Sequence, residues 1–384
     1  MNGTLALWYE SSEIPQEQGS FDGSGGEHKP HLRLHVNLWR DIDRHLNFLD
    51  IGLLLESQFN HVGRVYLYLP TQIGSDSIFD LSGTLKDGET LNAVFNEVMI
   101  TAGESDHYFV VRTGKGTPRA IHKLNIEQDI SIDAVSVPGR SDGTIIALNN
   151  SIFDRVSKAY SSVGEHYIRI RLFLKGRSQE LFTTVDTTVN YGLSLTHEMI
   201  ETTEFRLNER RSYPSDVLYR ASRGVFSIRS IHYFLIRDRN LQLSNQHQTF
   251  KKIRNLEKDI WKAYISAGHT LKERKARHIA NGMTIYQWRE IVDDKAKGID
   301  DFIAYASFRT TKPNYWTYLI AILAAGGIGG AALNIALALV GSVPPLTEPR
   351  PAAVIWTNIY ALILLIGLAV PVALWTLLAR TWKR

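Results

Sequence analysis

Apolar and polar side chains alternate along much of the first 240 residues. HLRLHVNLW at 31–39 and VGRVYLYL at 62–69 carry apolar residues at every second position, the period of a half-buried strand. HYFVVRT (107–113), ISIDAVSV (130–137) and GTIIAL (143–148) give further short strands. VFSIRSIHYFLIR at 225–237 is apolar on both alternations and predicts a strand buried on both faces. Two runs, HYIRIRLFL and QELFTTVDTT, flank a turn at Gly176 and predict a β-hairpin. The stretch 40–58, RDIDRHLNFLDIGLLLESQ, reads as a helix, and so does IFDRVSKAYSSV at 152–163.

After about residue 246 the period changes. Phe250, Ile253, Leu256, Ile260 and Tyr264 recur at spacings of three and four, an amphipathic helix period, with a break predicted at Asn281-Gly282. Beyond Lys312 the pattern disappears into unbroken apolar sequence. No charged residue lies between Lys312 and Glu348, and none in the 29 residues between Arg350 and Arg380. About 20 apolar residues cross a bilayer core, so a hairpin of two spans is expected, near 316–342 and 353–379. The divisions expected are a flexible lead-in at 1–30, an α+β domain with a mixed or antiparallel sheet at 31–245, a helical connector at 246–312, and the transmembrane hairpin at 313–384.

Charge orients this layout. Arg309 and Lys312 precede the first span and Arg380, Lys383 and Arg384 follow the second, while the intervening loop holds one Glu348 and one Arg350. The positive-inside rule puts both termini in the cytoplasm. Tyr315, Trp316, Trp375 and Trp382 fall near span ends, where amphipathic rings settle. The N-terminal residues lack the basic and apolar regions of a signal peptide, so the soluble part is expected to stay inside. The total charge of +4 hides an acidic first part, net −8 over residues 1–160, and a basic remainder, net +12.

Chemistry-bearing motifs are scarce. Walker A, GxSxG, HExxH, CxxC and dinucleotide fingerprints are missing, and TGKGTPR at 113–119 reads as a surface turn. Without cysteine there is no disulfide or thiolate zinc site. His31 and His35 share a strand face but lie about 13 Å apart, too far to hold one ion. No cofactor or metal is expected.

Two basic segments stand out. One face of the strand at 167–175 reads Tyr167, Arg169, Arg171, Phe173 and Lys175, followed by Arg177 in the turn. Alternating aromatic and guanidinium groups suit phosphate pairing and base stacking, although a solvated face that discourages edge pairing has the same pattern. Residues 206–239 hold eight arginines, among them Arg206, Arg210 and Arg211, and no lysine. That bias fits bidentate partners such as phosphate, or ion pairs with the nearby Glu201, Glu204 and Glu209. In the first span Gly326, Gly330, Asn334, Ala338 and Ser342 repeat every four residues, a stripe of small and polar side chains suited to helix association or a pore lining.

A soluble module followed by two C-terminal spans, with a basic second half, resembles the membrane effectors of bacterial anti-phage systems, nearest the HalA-type effector channels of Hailong systems. The resemblance implies a homo-oligomer (a tetramer), a non-enzymatic ion channel in the bacterial inner membrane, and control by a nucleotide or single-stranded oligonucleotide made by a nucleotidyltransferase. The resemblance rests on layout alone and carries no residue assignments. Other readings of the same sequence are a membrane-anchored hydrolase or nuclease using Asp41, Asp43 and Glu56, and a non-conducting membrane scaffold.

Overall fold

The computed structural model describes residues 3–12, 29–41, 46–57, 59, 62–114, 117–136, 142–159, 163–188, 196–268, 273–294 and 297–340. In chain order they begin with strands β1 (Ala6–Ser11), β2 (His31–Asp41), β3 (Leu46–Ser57), β4 (Val62–Leu69) and β5 (Ile78–Asp80). Helix α1 (Gly88–Phe95) leads to β6 (Met99–Glu104), β7 (Tyr108–Thr113) and β8 (Arg119–His122). A short α2 (Ile126–Asp129) precedes β9 (Ile130–Val135), β10 (Gly143–Leu148) and α3 (Asn150–Ala159). Then come β11 (Glu165–Phe173), β12 (Thr183–Thr188), β13 (Thr196–Leu207), α4 (Ser215–Ala221) and β14 (Ser227–Asp238). The last part holds β15 (Gln242–Gln246), β16 (Lys252–Asn255), α5 (Lys258–Ser266), α6 (Glu273–Asn281), β17 (Met283–Ile291), β18 (Phe302–Pro313) and α7 (Tyr315–Val340).

The fold is α+β and its main sheet is mixed. That sheet runs β16-β17-β14-β2-β3-β11-β8-β7-β6, with β5 paired to β11. Among the described pairs of this sheet, β14 with β2 and β11 with β8 run parallel and the others antiparallel. A second sheet is ordered β1-β4-β10-β9 and a third β12-β13-β18-β15. The largest core lies on one face of the main sheet, where Leu34, Val36, Ile51, Leu53, Ile168, Ile170, Tyr233 and Leu235 join Leu67, Ile146 and Phe205. The chain divides into two units, Met1–Thr184 with Glu201–Phe308, and Val185–Ile200 with Arg309–Arg384; β13 and β18 run on from one into the other.

Among the described residues, the strands at 31–39, 62–69, 107–113, 130–137, 143–148 and 225–237 and the helix at 152–163 form where expected, give or take a few terminal residues, although β14 is not buried on both faces, Arg229, His232 and Phe234 being half-buried. Four expectations need correction. The lead-in is not solvated throughout: Leu5, Ala6, Leu7 and Trp8 are buried, and β1 pairs with β4. Its residues 13–28 lie outside the described ones. The apolar run at 46–57 is a strand, because β3 is buried on both faces and the missing polar alternation mimics a helix. The hairpin at Gly176 does not form: β11 pairs with β3, β8 and β5, while β12 neighbours β13.

Fourth, residues 246–312 are not a helical connector. They hold β16, α5, α6, β17 and most of β18. The three-and-four spacing there is coincidental, since Ile253 is exposed on β16 and only Ile260 and Tyr264 lie on α5. Gly282 does end α6, its amide donating to the Ile279 carbonyl.

Helix α7 starts at Asn314, whose side-chain oxygen accepts from the Thr317 amide at 3.4 Å and whose carbonyl accepts from the Tyr318 amide. Its stretch Tyr315–Asn334 is long and apolar enough to cross a membrane, and nearly all of it is uncovered, Ala331 being the exception. The expected second span lies outside the described residues.

Candidate functional site

The main sheet's second face is covered over only part of its area. At one end Trp39, Phe48, Ile236 and Ile285 pack beneath α5 and α6, which supply Trp261, Tyr264, Ile265, Ala276 and Ile279. Helix α5 forms here because Trp261, Tyr264 and Ile265 fall on one side and are buried together. Asp259 lies in its first turn, where a carboxylate meets the positive end of the helix dipole.

Under α5 the sheet face turns polar. Asp50 and Arg171 are fully buried cross-strand partners on β3 and β11. Arg171 donates from Nε to Asp50 Oδ1 at 2.7 Å and from Nη2 to Oδ2 at 3.2 Å, a bidentate pair. Its Nη1 donates to the Tyr264 and Ala267 carbonyls at the end of α5, and its guanidinium lies 3.7 Å from the Phe48 ring centroid. Asp50 Oδ2 also accepts from Tyr264 Oη at 2.7 Å and Trp39 Nε1 at 3.0 Å. At the next same-face position of β11, buried Arg169 donates to Tyr264 Oη at 2.8 Å and Tyr167 Oη at 2.6 Å. Gly52 makes room for this: a Cβ there would sit 2.1 Å from Tyr167 Oη and 3.0 Å from Arg169 Nη1.

Beyond Arg169 the face opens. Cross-strand register sets Arg289, His232, His35, Gly52 and Arg169 in one row over β17, β14, β2, β3 and β11. The His35 and His232 ring centroids are 5.1 Å apart, and His35 Nδ1 lies 3.2 Å from Tyr167 Oη. Arg33, at the neighbouring same-face position of β2, pairs with Glu56 at 2.5 Å. Arg119 of β8 pairs with Glu165 at 2.6 Å while lying over the Phe95 ring. Burial, then the charges of Arg289 and Arg33, holds His232 down to about 4. Burial, then His232 and Arg169, holds His35 well below its ordinary value. Both imidazoles are therefore neutral near pH 7.

The strand face expected to meet solvent is mostly enclosed. Arg169 and Arg171 are buried under α5, Tyr167 is buried against Phe95 of α1, and Phe173 is half-buried against Phe48. Alternation identifies the face but not what packs on it. Lys175 is exposed beside Asp76, and Arg177 is exposed. Arg206 pairs with Glu204 at 2.7 Å and Glu209 at 2.8 Å, and Arg211 with Glu209 at 2.5 Å, so these two arginines take the ion-pair alternative. Arg210 is exposed and lines a small cavity of about 40 Å³ with Tyr213 and Leu218. Buried Arg237 and Arg40 both reach Glu201, at 2.6 and 3.1 Å.

Of the acidic candidates, Asp41 is buried, Glu56 is held by Arg33, and Asp43 lies outside the described residues. Among the described residues no group of three or more His, Asp or Glu could hold a metal ion. In α7, Gly326, Gly330 and Asn334 are exposed; the Ala338 side chain and Ser342 lie outside what is described. Sequence reasoning misses Asp50, Tyr264, His232 and Arg289 as site residues. An aspartate inside the apolar run LNFLDIGLLL is the one signal available, since a carboxylate there needs a buried partner. No protein-family model matches the sequence, and no curated protein matches it.

Proposed function

We propose that this chain is a membrane effector of a bacterial anti-phage defence system: an oligomeric ion channel or pore, anchored by a two-helix hairpin and gated by a nucleotide or oligonucleotide bound to its cytoplasmic α+β domain. The observation that carries the reading is the almost wholly uncovered apolar stretch Tyr315–Asn334 of α7, following directly on a β-rich module whose later half is basic. A helix of 26 residues extends about 39 Å, more than the hydrocarbon core it would cross. Around Gly326 and Gly330 an added Cβ would meet nothing within 4 Å, which leaves a close-approach surface for another helix. A lone hairpin cannot enclose water, so conduction needs several copies. The partner enzyme would be a nucleotidyltransferase acting through its product, and the chain itself would catalyse nothing.

The test is reconstitution of detergent-purified full-length chain in vesicles loaded with a self-quenched dye and a potassium-sensitive probe. Ion release that responds to a short oligonucleotide supports the proposal. Vesicles that stay tight under every nucleotide tried, or a chain that remains in the aqueous fraction without detergent, contradict it.

A further inference from the structure

The row of side chains at the open end of the sheet face points to a specific site, and we propose that Arg289, His232 and His35 bind a phosphate group of the nucleotide ligand. This rests on the ligand-gated reading above and says where the ligand sits. Arg289 and His232 are direct cross-strand partners, as are His232 and His35, so the three occupy adjacent strands at one level. Neighbouring strands lie about 4.8 Å apart, a span that one tetrahedral oxyanion can bridge by accepting from both sides. Arg289 is exposed and has no ion-pair partner among the described residues, and His232 makes no hydrogen bond among them.

The carboxylates nearby are already neutralised, Glu56 by Arg33 and Glu165 by Arg119, while Asp50 is bound to Arg171. Arg169, at the buried end of the row, adds positive potential without reaching solvent. Half-buried Phe234, its ring 6.5 Å from His232, offers a surface on which a base can stack. Burial and then the neighbouring arginine charges keep the imidazoles neutral, and a bound phosphate would offset the charges, so binding should take up protons. Affinity then rises as pH falls towards the free-state value of His232, about 4. The charged groups facing the pair are Arg33 and Glu56, Arg289, Arg169 and Glu165, and Arg119, with Tyr167 between His35 and Arg169.

The experiment measures fluorescence anisotropy of a labelled oligothymidylate on detergent-purified full-length chain, with inorganic phosphate, AMP and acetate as competitors. Arg289→Gln should weaken binding about tenfold, the loss of one charge-assisted contact. His232→Gln should flatten the pH dependence seen between about pH 5.5 and about pH 7.5. Competition by phosphate and AMP but not acetate supports recognition of phosphate. Unchanged affinity in both variants, or competition by acetate alone, overturns the site and leaves the ligand-gated reading standing. Failure of the unaltered chain to bind any of these probes overturns both. Arg289 is exposed, so its replacement leaves the core intact even should His232→Gln unfold.

Discussion

Asp50 is the residue on which the covered half of the sheet face depends. Its two oxygens accept from Arg171, Tyr264 and Trp39, joining β2, β3, β11 and α5 at one carboxylate. Asp50→Ala leaves the Arg171 guanidinium buried without its counter-charge, which should cost about 3–5 kcal/mol. Thermal unfolding of the purified chain measures this; a melting temperature within a degree or so of the parent's would contradict the buried pair. A second residue-scale consequence concerns His122 and His166, whose rings meet through Nε2 and Nδ1 at 3.0 Å in the interior. Burial lowers His122 to about 3 and His166 to about 4. Unfolded histidine titrates near 6.5, so the unfolded chain binds more protons between that value and the folded ones. The pair's contribution is complete above about pH 6.5 and is lost as pH falls towards about 4, by up to about 1.4 kcal/mol per pH unit for each ring. Replacing His166 by Gln should shallow the acid limb of a stability-against-pH curve; an unaltered limb would mean that the His166 imidazole is not enclosed.

At the scale of elements, strands are most legible in the sequence where apolar residues recur at every second position. β2 and β4 carry the period of two, β7, β9 and β10 are short runs of strand-forming residues, and β14 is legible because apolar residues occupy both of its alternations. β3 is misread because both of its faces are buried, which leaves an apolar run ambiguous between strand and helix. The pairing of β11 with β3 and β8, and the placing of α5 over Arg169 and Arg171, are long-range facts that no local window contains. Both basic segments are visible as sequence, yet Arg169, Arg171 and Arg237 lie in the interior and Arg206 and Arg211 are ion-paired, while Arg289 and His232, which stand in no conspicuous motif, line the open surface. Helix α7 is legible from its lack of charge. Its stripe makes a prediction of its own: Gly330→Ile places a branched side chain where helices would meet, and should shift the detergent-solubilised protein to smaller assemblies by multi-angle light scattering. An unchanged mass would remove that stripe from the assembly surface.

At the scale of the molecule, three parts have three physical bases. The core on one face of the mixed sheet is hydrophobic burial. On the proposed reading, the row on the other face is electrostatic complementarity to an anion. The helix that follows the last strand is long and apolar enough to cross a membrane, and on the proposed reading its basis is a solvent preference for lipid. If ligand gating holds, a signal would require differential affinity of the ligand for two states of the assembly. The most direct measurement is current through a planar bilayer holding the full-length chain, with oligothymidylate added first to one side and then to the other. Ligand gating predicts a conductance that changes only when the oligonucleotide is on the side carrying the β-rich module. No conductance, or a conductance indifferent to the oligonucleotide on both sides, would contradict it.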